Sequence, residues 1–229
     1  MIHPLVQSEN PVLLVGGGKT DPDMLQQLAS ACPTRVAADG GTDALLARGV
    51  MPDAVIGDLD SITPRARAQI PQGRIHHIAE QDSTDFDKCL RNIAAPLVWG
   101  MGFLGRRVDH QLTALTVLAR RADRRCILLG AHDCIALAPP RLALDLAKGV
   151  RVSLYPLAPV SGRSEGLHWP INGLSFSPDT QVGTSNETTS ARVSLEMDAP
   201  AMLVILPLEW HLALARALCQ APAGWPARG

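Results

Sequence analysis

The chain has 229 residues, room for one large domain or two small ones, and its 46% hydrophobic content excludes global disorder. With 22 acidic against 21 basic residues the formal net charge is -1, and aromatics make up 3%, so neither nucleic acid nor a membrane surface is expected as the main partner. Five widely spaced cysteines, Cys32, Cys89, Cys126, Cys134 and Cys219, contain no C-x-x-C; they argue against a disulfide framework or structural zinc and for small buried residues in a reducing compartment.

The N-terminus, Met1-Ile2-His3-Pro4, lacks a basic segment followed by a long apolar one, and no apolar run approaches the ~18 residues of a membrane span. The expected location is therefore the cytoplasm. Val12 to Val15 reads as a buried strand. Asp21 followed by Pro22 starts a helix, with aspartate as N-cap and proline at the first helical position. Val36 to Ala38 and Ala54 to Ile56 are the next strands, with a short helix from Asp43 to Arg48 between them, ended by Gly49. Thr63-Pro64 starts another helix, and Ile75 to Ile78 is a weaker strand. Thr84 to Ala94 is expected to be helical, with Phe86, Leu90 and Ile93 on one face. Leu97 to Trp99 is a strand, and Asp109 to Arg121 a helix with Leu112, Leu115, Leu118 and Ala119 as its apolar stripe. Cys126 to Leu129 closes the series. Strands alternating with helices predict a mostly parallel sheet covered on both faces. Ligands of such sheets bind beyond the carboxyl ends of the strands.

The pattern changes after about Ala131. Cys134 to Leu137, Leu142 to Leu146, Val150 to Leu157, Ala191 to Met197 and Met202 to Leu206 are strand-like. Turns are expected at Ser161-Gly162 and Ser177-Pro178-Asp179. Helical spacing returns only around Trp210, Leu214 and Leu218. The expected architecture is an α/β domain over 1–131 with a mostly parallel sheet, followed by an all-β, sandwich-like domain over 132–229.

The polar clusters follow the strands of the first region. Asp58-Leu59-Asp60-Ser61 comes directly after Ala54 to Ile56. Two carboxylates so close repel unless a cation or strong donors intervene, and magnesium takes oxygen ligands of this kind together with substrate phosphates. A solvated acidic turn with a helix cap fits the same residues. In Asp82-Ser83-Thr84-Asp85-Phe86-Asp87-Lys88, Asp85 and Lys88 lie three apart on one helix face. They are suited to a metal and a phosphate; Thr84 as an N-cap with acids in the first turn is the plainer reading. Ala38-Asp39-Gly40-Gly41 offers backbone amides at a helix start, or simply a turn. Gly16-Gly17-Gly18-Lys19-Thr20 lacks the G-x-x-x-x-G-K-[ST] spacing and is not a Walker A loop. In Gly105-Arg106-Arg107-Val108-Asp109-His110, Arg107 suits phosphate charge, Asp109 a helix cap or ligand, and His110 a structural role. In the second region Thr184-Ser185-Asn186 reads as a polar turn. Trp169 reads as an exposed aromatic or a core tryptophan.

In this order, A-D-G-G (Ala38 to Gly41), P-D-x-x-x-G-D-x-D-S (Pro52 to Ser61), D-x-T-D-x-x-K (Asp82 to Lys88) and G-x-R-x-D-H (Gly105 to His110) closely resemble the thiamine pyrophosphokinase family. Gly166-Leu167-His168-Trp169 and Ser185-Asn186 extend the match into the second region. The resemblance implies a homodimer, with an α/β nucleotide-binding domain followed by a β-sandwich. The implied reaction converts thiamine and ATP to thiamine diphosphate and AMP with magnesium. It also implies residue roles. Asp58, Asp60 and Asp85 are metal and phosphate-site acids. Lys88, Arg107 and Asp109 are phosphate and active-site groups, and Asp39, Gly40 and Gly41 form a substrate-site turn with Asp82 and Thr84 nearby. Trp169, Ser185 and Asn186 hold thiamine near the dimer interface. Leu59 stands where phenylalanine is common between the two acids, Arg106 where a second glycine is common, and Glu187 adds a negative charge beside Asn186. Either Asp85 or Asp58 takes the proton of the attacking hydroxyl. The rival readings are a pyrophosphokinase for another hydroxymethyl substrate, such as a dihydropterin, and a catalytically silent thiamine or nucleotide binder.

Overall fold

The computed structural model describes residues 4–105, 107–222 and 224–227. The expectations for Met1 to His3 and for Arg106 lie outside the described residues. The chain forms two compact units, one of residues up to Val117 with Leu128–Ala131, the other of Leu118–Ile127 with the residues from His132 onward.

In the first unit the elements are β1 (Val6–Gln7), β2 (Val12–Val15), α1 (Pro22–Ala31), β3 (Thr34–Ala38), α2 (Gly41–Leu46), β4 (Ala54–Gly57), α3 (Pro64–Gln69), β5 (Ile75–His77), α4 (Asp85–Arg91), β6 (Ile93–Ala94) and β7 (Val98–Met101). Then come α5 (Val108–Arg120) and β8 (Cys126–Leu129). Strands β7, β2, β3, β4 and β5 pair in that spatial order, every pairing parallel. All four residues of β2 and of β4 are buried, as the apolar runs require when helices cover both faces. Leu25 and Leu28 of α1, Leu45 of α2, and Phe86 and Leu90 of α4 supply that cover. The chain turns from β2 toward β3 on one side and reaches β7 on the other, which makes a topological switch point beside β2.

The starts at Asp21-Pro22 and Thr63-Pro64 are those the sequence predicts, whereas α2 spans Gly41–Leu46 rather than Asp43 to Arg48 and α5 starts at Val108 rather than Asp109. The Asp21 carboxylate accepts from Met24 N at 2.8 Å, and Thr63 Oγ1 accepts from Ala66 N at 3.2 Å. Two further helical expectations are corrected. The helix from Thr84 stops at Arg91, because the Asn92 side chain donates to Lys88 O at 2.8 Å and satisfies a terminal carbonyl. Ile93–Ala94 instead pairs in parallel with Val6–Gln7. On α5 the buried stripe is Ala114, Val117, Leu118 and Ala119, while Leu112 is exposed. The helix carries apolar residues on two sides, so spacing alone did not choose the buried one.

In the second unit β9 (Asp133–Leu137), β10 (Arg141–Asp145), β11 (Arg151–Pro156), β12 (Val160–Glu165), β13 (Ser175–Phe176), β14 (Gly183–Glu187), β15 (Arg192–Met197) and β16 (Met202–Pro207) precede α6 (His211–Gln220). They form the sandwich from two antiparallel sets, β14-β11-β16-β9 and β10-β15-β12-β13. The expected turn at Ser161-Gly162 lies within β12. Its small polar residues sit at half-exposed positions between buried Val160 and Ser164, which hid the strand. Thr184-Ser185-Asn186 is likewise a strand, β14, and not a turn.

Candidate active site

The chemistry-bearing residues of the first unit gather at the carboxyl ends of its parallel strands. Strand β3 ends at Ala38, directly before Asp39, and β4 runs into Asp58, Leu59 and Asp60. Because β3 and β4 are hydrogen-bonded neighbours, acids 19 residues or more apart in the sequence meet here. One carboxylate oxygen each from Asp39, Asp58 and Asp60 lies within 4.8 Å of the others. Asp39 is 2% exposed; it accepts from Ser61 N at 2.9 Å and from Ile62 N at 3.0 Å, so it also shapes the Asp60-Ser61 loop. Burial, together with the charges of Asp85 and Asp60, lifts the Asp39 carboxyl to about 6, although the amide of Ser61 opposes the rise.

Two glycines make this approach possible. A Cβ on Gly41 would fall 1.9 Å from Val15 O, so only glycine lets α2 start against the end of β2. A Cβ on Gly57 would stand 3.0 Å from Asp85 Oδ1 and 3.1 Å from Asp39 Cβ, between the two acids. Among the described residues, the three non-glycine positions with left-handed backbones are Asp39 (φ 43), Leu59 (φ 66) and Ser185 (φ 59). All three lie in segments that the sequence marks as functional, where such strain is characteristically held.

Helix α4 brings the cation. Thr84 caps its first turn, accepting from Asp87 N at 3.4 Å, and the Lys88 side chain runs inward until only 1% of it is exposed. Its Nζ donates to Asp58 Oδ2 at 3.1 Å and to Asp85 Oδ1 at 3.2 Å. Burial disfavours the ammonium, but these two carboxylates outweigh it and hold the Lys88 pKa above its ordinary value. For Asp58, burial raises the pKa, yet the hydrogen bond and charge of Lys88 bring the carboxyl below its usual range. Gln81, which sequence reasoning passed over, reaches Asp58 Oδ2 from Nε2 at 3.5 Å. Asp43 was also missed as a positioning group: it accepts from Thr63 N at 3.1 Å and Thr63 Oγ1 at 2.5 Å, tying α2 to the start of α3. No local signal singles either out.

Other expected residues stand differently. Asp82 is exposed. Gly40 and Gly41 lie against Gly17, so the glycine-rich loop after β2 borders the same site. Arg107 and Asp109 are exposed and pair with each other, Nη2 to Oδ2 at 2.5 Å and Nε to Oδ1 at 3.1 Å. Asp109 lies within the first turn of α5 and engages Arg107, so it is not the helix cap. His110 is exposed.

In the second unit Trp169 is 60% exposed, its ring edge-on to that of His168 at 4.4 Å. Asn186 is 5% exposed and clamps it: Trp169 N donates to Asn186 Oδ1 at 3.1 Å and Asn186 Nδ2 donates to Trp169 O at 2.7 Å. Glu187 N donates to the same Oδ1 at 2.8 Å. The Asn186 amide is therefore engaged with backbone and presents the indole rather than facing outward itself. Ser185 is exposed beside it.

The three carboxylates and their oxygen-only donor set fit a hard divalent cation such as magnesium, and such an ion would favour the ionised form of Asp39, which burial and then the charges of Asp85 and Asp60 disfavour. The adjoining Lys88 and glycine-bordered turns suit a polyphosphate.

Comparison with known proteins bears on this geometry. The model of the thiamin pyrophosphokinase catalytic domain matches residues 25–129, and that of the thiamin pyrophosphokinase vitamin B1 binding domain matches residues 141–202. Thiamine pyrophosphokinase 3 of Oryza sativa subsp. japonica is 26% identical over 216 residues, covering 77% of this chain and 80% of the relative. Thiamine pyrophosphokinase of Bacillus subtilis is 25% identical over 183 residues, covering 74% and 85%. The fold is shared with thiamin pyrophosphokinase from Candida albicans, with a TM-score of 0.74 and 18% identity over 90% of this chain and 93% of that one. It is also shared with yeast thiamin pyrophosphokinase, with a TM-score of 0.73 and 17% identity over 96% and 95%.

Proposed function

This chain belongs to the thiamin pyrophosphokinase family, and we propose from that premise that it transfers pyrophosphate from ATP to the hydroxyethyl group of thiamine, giving thiamine diphosphate and AMP. The observation that carries the reading is Lys88, buried between Asp58 and Asp85 next to the Asp39, Asp58 and Asp60 carboxylates. An ordinary soluble acidic turn does not bury an ammonium group.

The thiamine oxygen attacks the β-phosphorus in line and AMP leaves. Bound magnesium, held by Asp58 and Asp60 with Asp39 or Asp85, would neutralise phosphate oxygens. Lys88 and Arg107 offset the charge that develops on the transferred group. Asp109 holds the guanidinium fork of Arg107 ready, and because the pair is exposed, separating it costs little. Asp58 and Asp85 both accept from the Lys88 ammonium, and one of these two carboxylates takes the hydroxyl proton. Gly40, Gly41 and Thr84 border the phosphates, with Asp82 at the rim. Trp169 and Ser185 receive thiamine, and Asn186 acts through Trp169.

The same reading makes the protein a cytoplasmic homodimer with the thiamine site near the subunit interface. The free thiols support the compartment, and the exposed Trp169 supports a covering partner or ligand. Among the described residues no helix is long and apolar enough to cross a membrane. Incubation with ATP, magnesium and thiamine tests the reading: AMP and thiamine diphosphate are expected in equal amounts. ADP would mark an ordinary kinase, and absence of both products would overturn the proposal.

A further inference from the structure

Strand β14 does not run evenly along β11. Val152 pairs with Asn186 and Leu154 with Gly183, so Thr184 and Ser185 together face the single residue Ser153. This is a β-bulge, and its extra residue lacks a ladder partner. Ser185 carries the distortion, with a left-handed backbone that a side chain disfavours.

The partner missing from the ladder is supplied by a side chain. Ser153 Oγ, on a residue 5% exposed, accepts from Ser185 N at 3.0 Å. The same oxygen accepts from Arg151 Nη1 at 3.4 Å, and Arg151 is in turn bound to Asp133. A chain of polar groups thus runs from the start of β9, through β11, to the bulge. Immediately after the bulge comes Asn186, whose amide clamps the backbone of Trp169. The position of the exposed indole therefore depends on where the bulge puts Asn186.

We propose that Ser153 is a positioning residue for the acceptor site: it holds the Ser185 bulge in shape, and through it Ser185 and the Asn186–Trp169 clamp, without touching the acceptor. This inference rests on the reading above that Trp169 and Ser185 receive thiamine. A buried serine that only satisfies the core would influence stability and nothing else. A positioning serine changes acceptor affinity while leaving nucleotide affinity alone.

The test uses the full chain with Ser153→Ala, Ser153→Cys, Ser153→Thr and Trp169→Ala. Thiamine dissociation constants come from calorimetry, KM and kcat for both substrates from AMP release, and exchange of the Ser185 amide from NMR. Ser153→Cys keeps the side-chain volume with a poor acceptor, so it reports even where alanine impairs folding. Losing one hydrogen bond at the bulge is expected to raise the thiamine Kd and KM roughly three- to tenfold for alanine and cysteine. The KM for ATP stays within about twofold, and Ser185 exchange accelerates by a similar three- to tenfold factor. Ser153→Thr, which keeps the hydroxyl, returns the thiamine Kd close to wild type. Unchanged Ser185 exchange overturns the assignment. So does an unchanged thiamine Kd in Ser153→Ala and Ser153→Cys, when Trp169→Ala raises it. If Trp169→Ala also leaves the Kd unchanged, or the wild type binds no thiamine, the acceptor-site reading falls and the Ser153 assignment with it.

Discussion

Lys88 Nζ lies 3.1 Å from Asp58 Oδ2, across 30 residues of sequence, and the lysine is almost wholly buried there. The pair joins the last turn of α4 to the loop after β4 and so makes one site from two motifs. Its second partner, Asp85, sits on the same helix face one turn earlier.

Replacing Lys88 with methionine leaves Asp58 and Asp85 facing each other without a cation. The expected loss of stability is about 3 kcal/mol, from uncompensated carboxylates in a partly dry site. Activity should fall by at least about 100-fold, since the same ammonium stabilises transferring charge. Urea denaturation and AMP release check the two effects separately. Asp58→Asn should likewise lose magnesium-dependent turnover; a variant with normal turnover would show that the metal assignment is wrong.

Asp39 gives a pH signature. Its folded pKa of about 6 lies above the ordinary aspartate value of 3.8, so between these values the folded state holds a proton that the unfolded state lacks. The stability from this proton is complete below about 4 and is lost as pH rises through about 6, at most about 3 kcal/mol in all. Denaturation of the metal-free protein from pH 4 to pH 8 should show this slope, and Asp39→Asn should flatten it. A bound cation favours the ionised form, so magnesium affinity should climb up to about tenfold per pH unit below about 6 and level off above it. Chelation at pH 7.5 should then lower the melting temperature more than chelation at pH 5.5.

Arg107 and Asp109 predict the opposite pattern to Lys88. Both are largely exposed, so Arg107→Ala should leave the melting temperature almost unchanged. Turnover should drop about 100-fold, and Arg107→Lys should recover little of it because an ammonium lacks the planar fork. Comparing kcat with thermal melts decides it; parallel losses in both would make the pair structural.

Trp169→Ala should raise the thiamine KM with stability unchanged within about 0.5 kcal/mol, because the indole is mainly exposed. Asn186→Ala should raise the same KM and also cost about 1–3 kcal/mol, as it strands the N–H and C=O of Trp169. Equal stability losses in both variants would contradict the clamp.

The thiols offer an independent check on the core. Burial pushes the Cys32 thiol up to about 11 and the Cys134 thiol to about 12, and Cys89 and Cys126 are raised as well. Cys219 alone among the five is exposed. Native protein should present one rapidly reacting thiol to a disulfide reagent at pH 8, and unfolded protein five.

By itself the sequence determined the alternation of strands and helices, the caps at Asp21, Thr63 and Thr84, and the placing of acids just past strand ends. These are local matters of propensity, patterning and hydrogen bonding within a few residues. Motif order added the family and with it the expected chemistry. Only the tertiary structure decided which acids meet. Asp39 reads as part of a glycine turn, yet parallel pairing of β3 with β4 brings it to Asp58 and Asp60. The structure also showed Thr184 to Asn186 as a bulged strand, since its partners lie on β11 and at Trp169, distant in the chain. It buried Ala114 and Val117 rather than Leu112 on a helix with two apolar sides. In each case the deciding contacts lie between residues distant in the sequence, and no periodicity within one element encodes them.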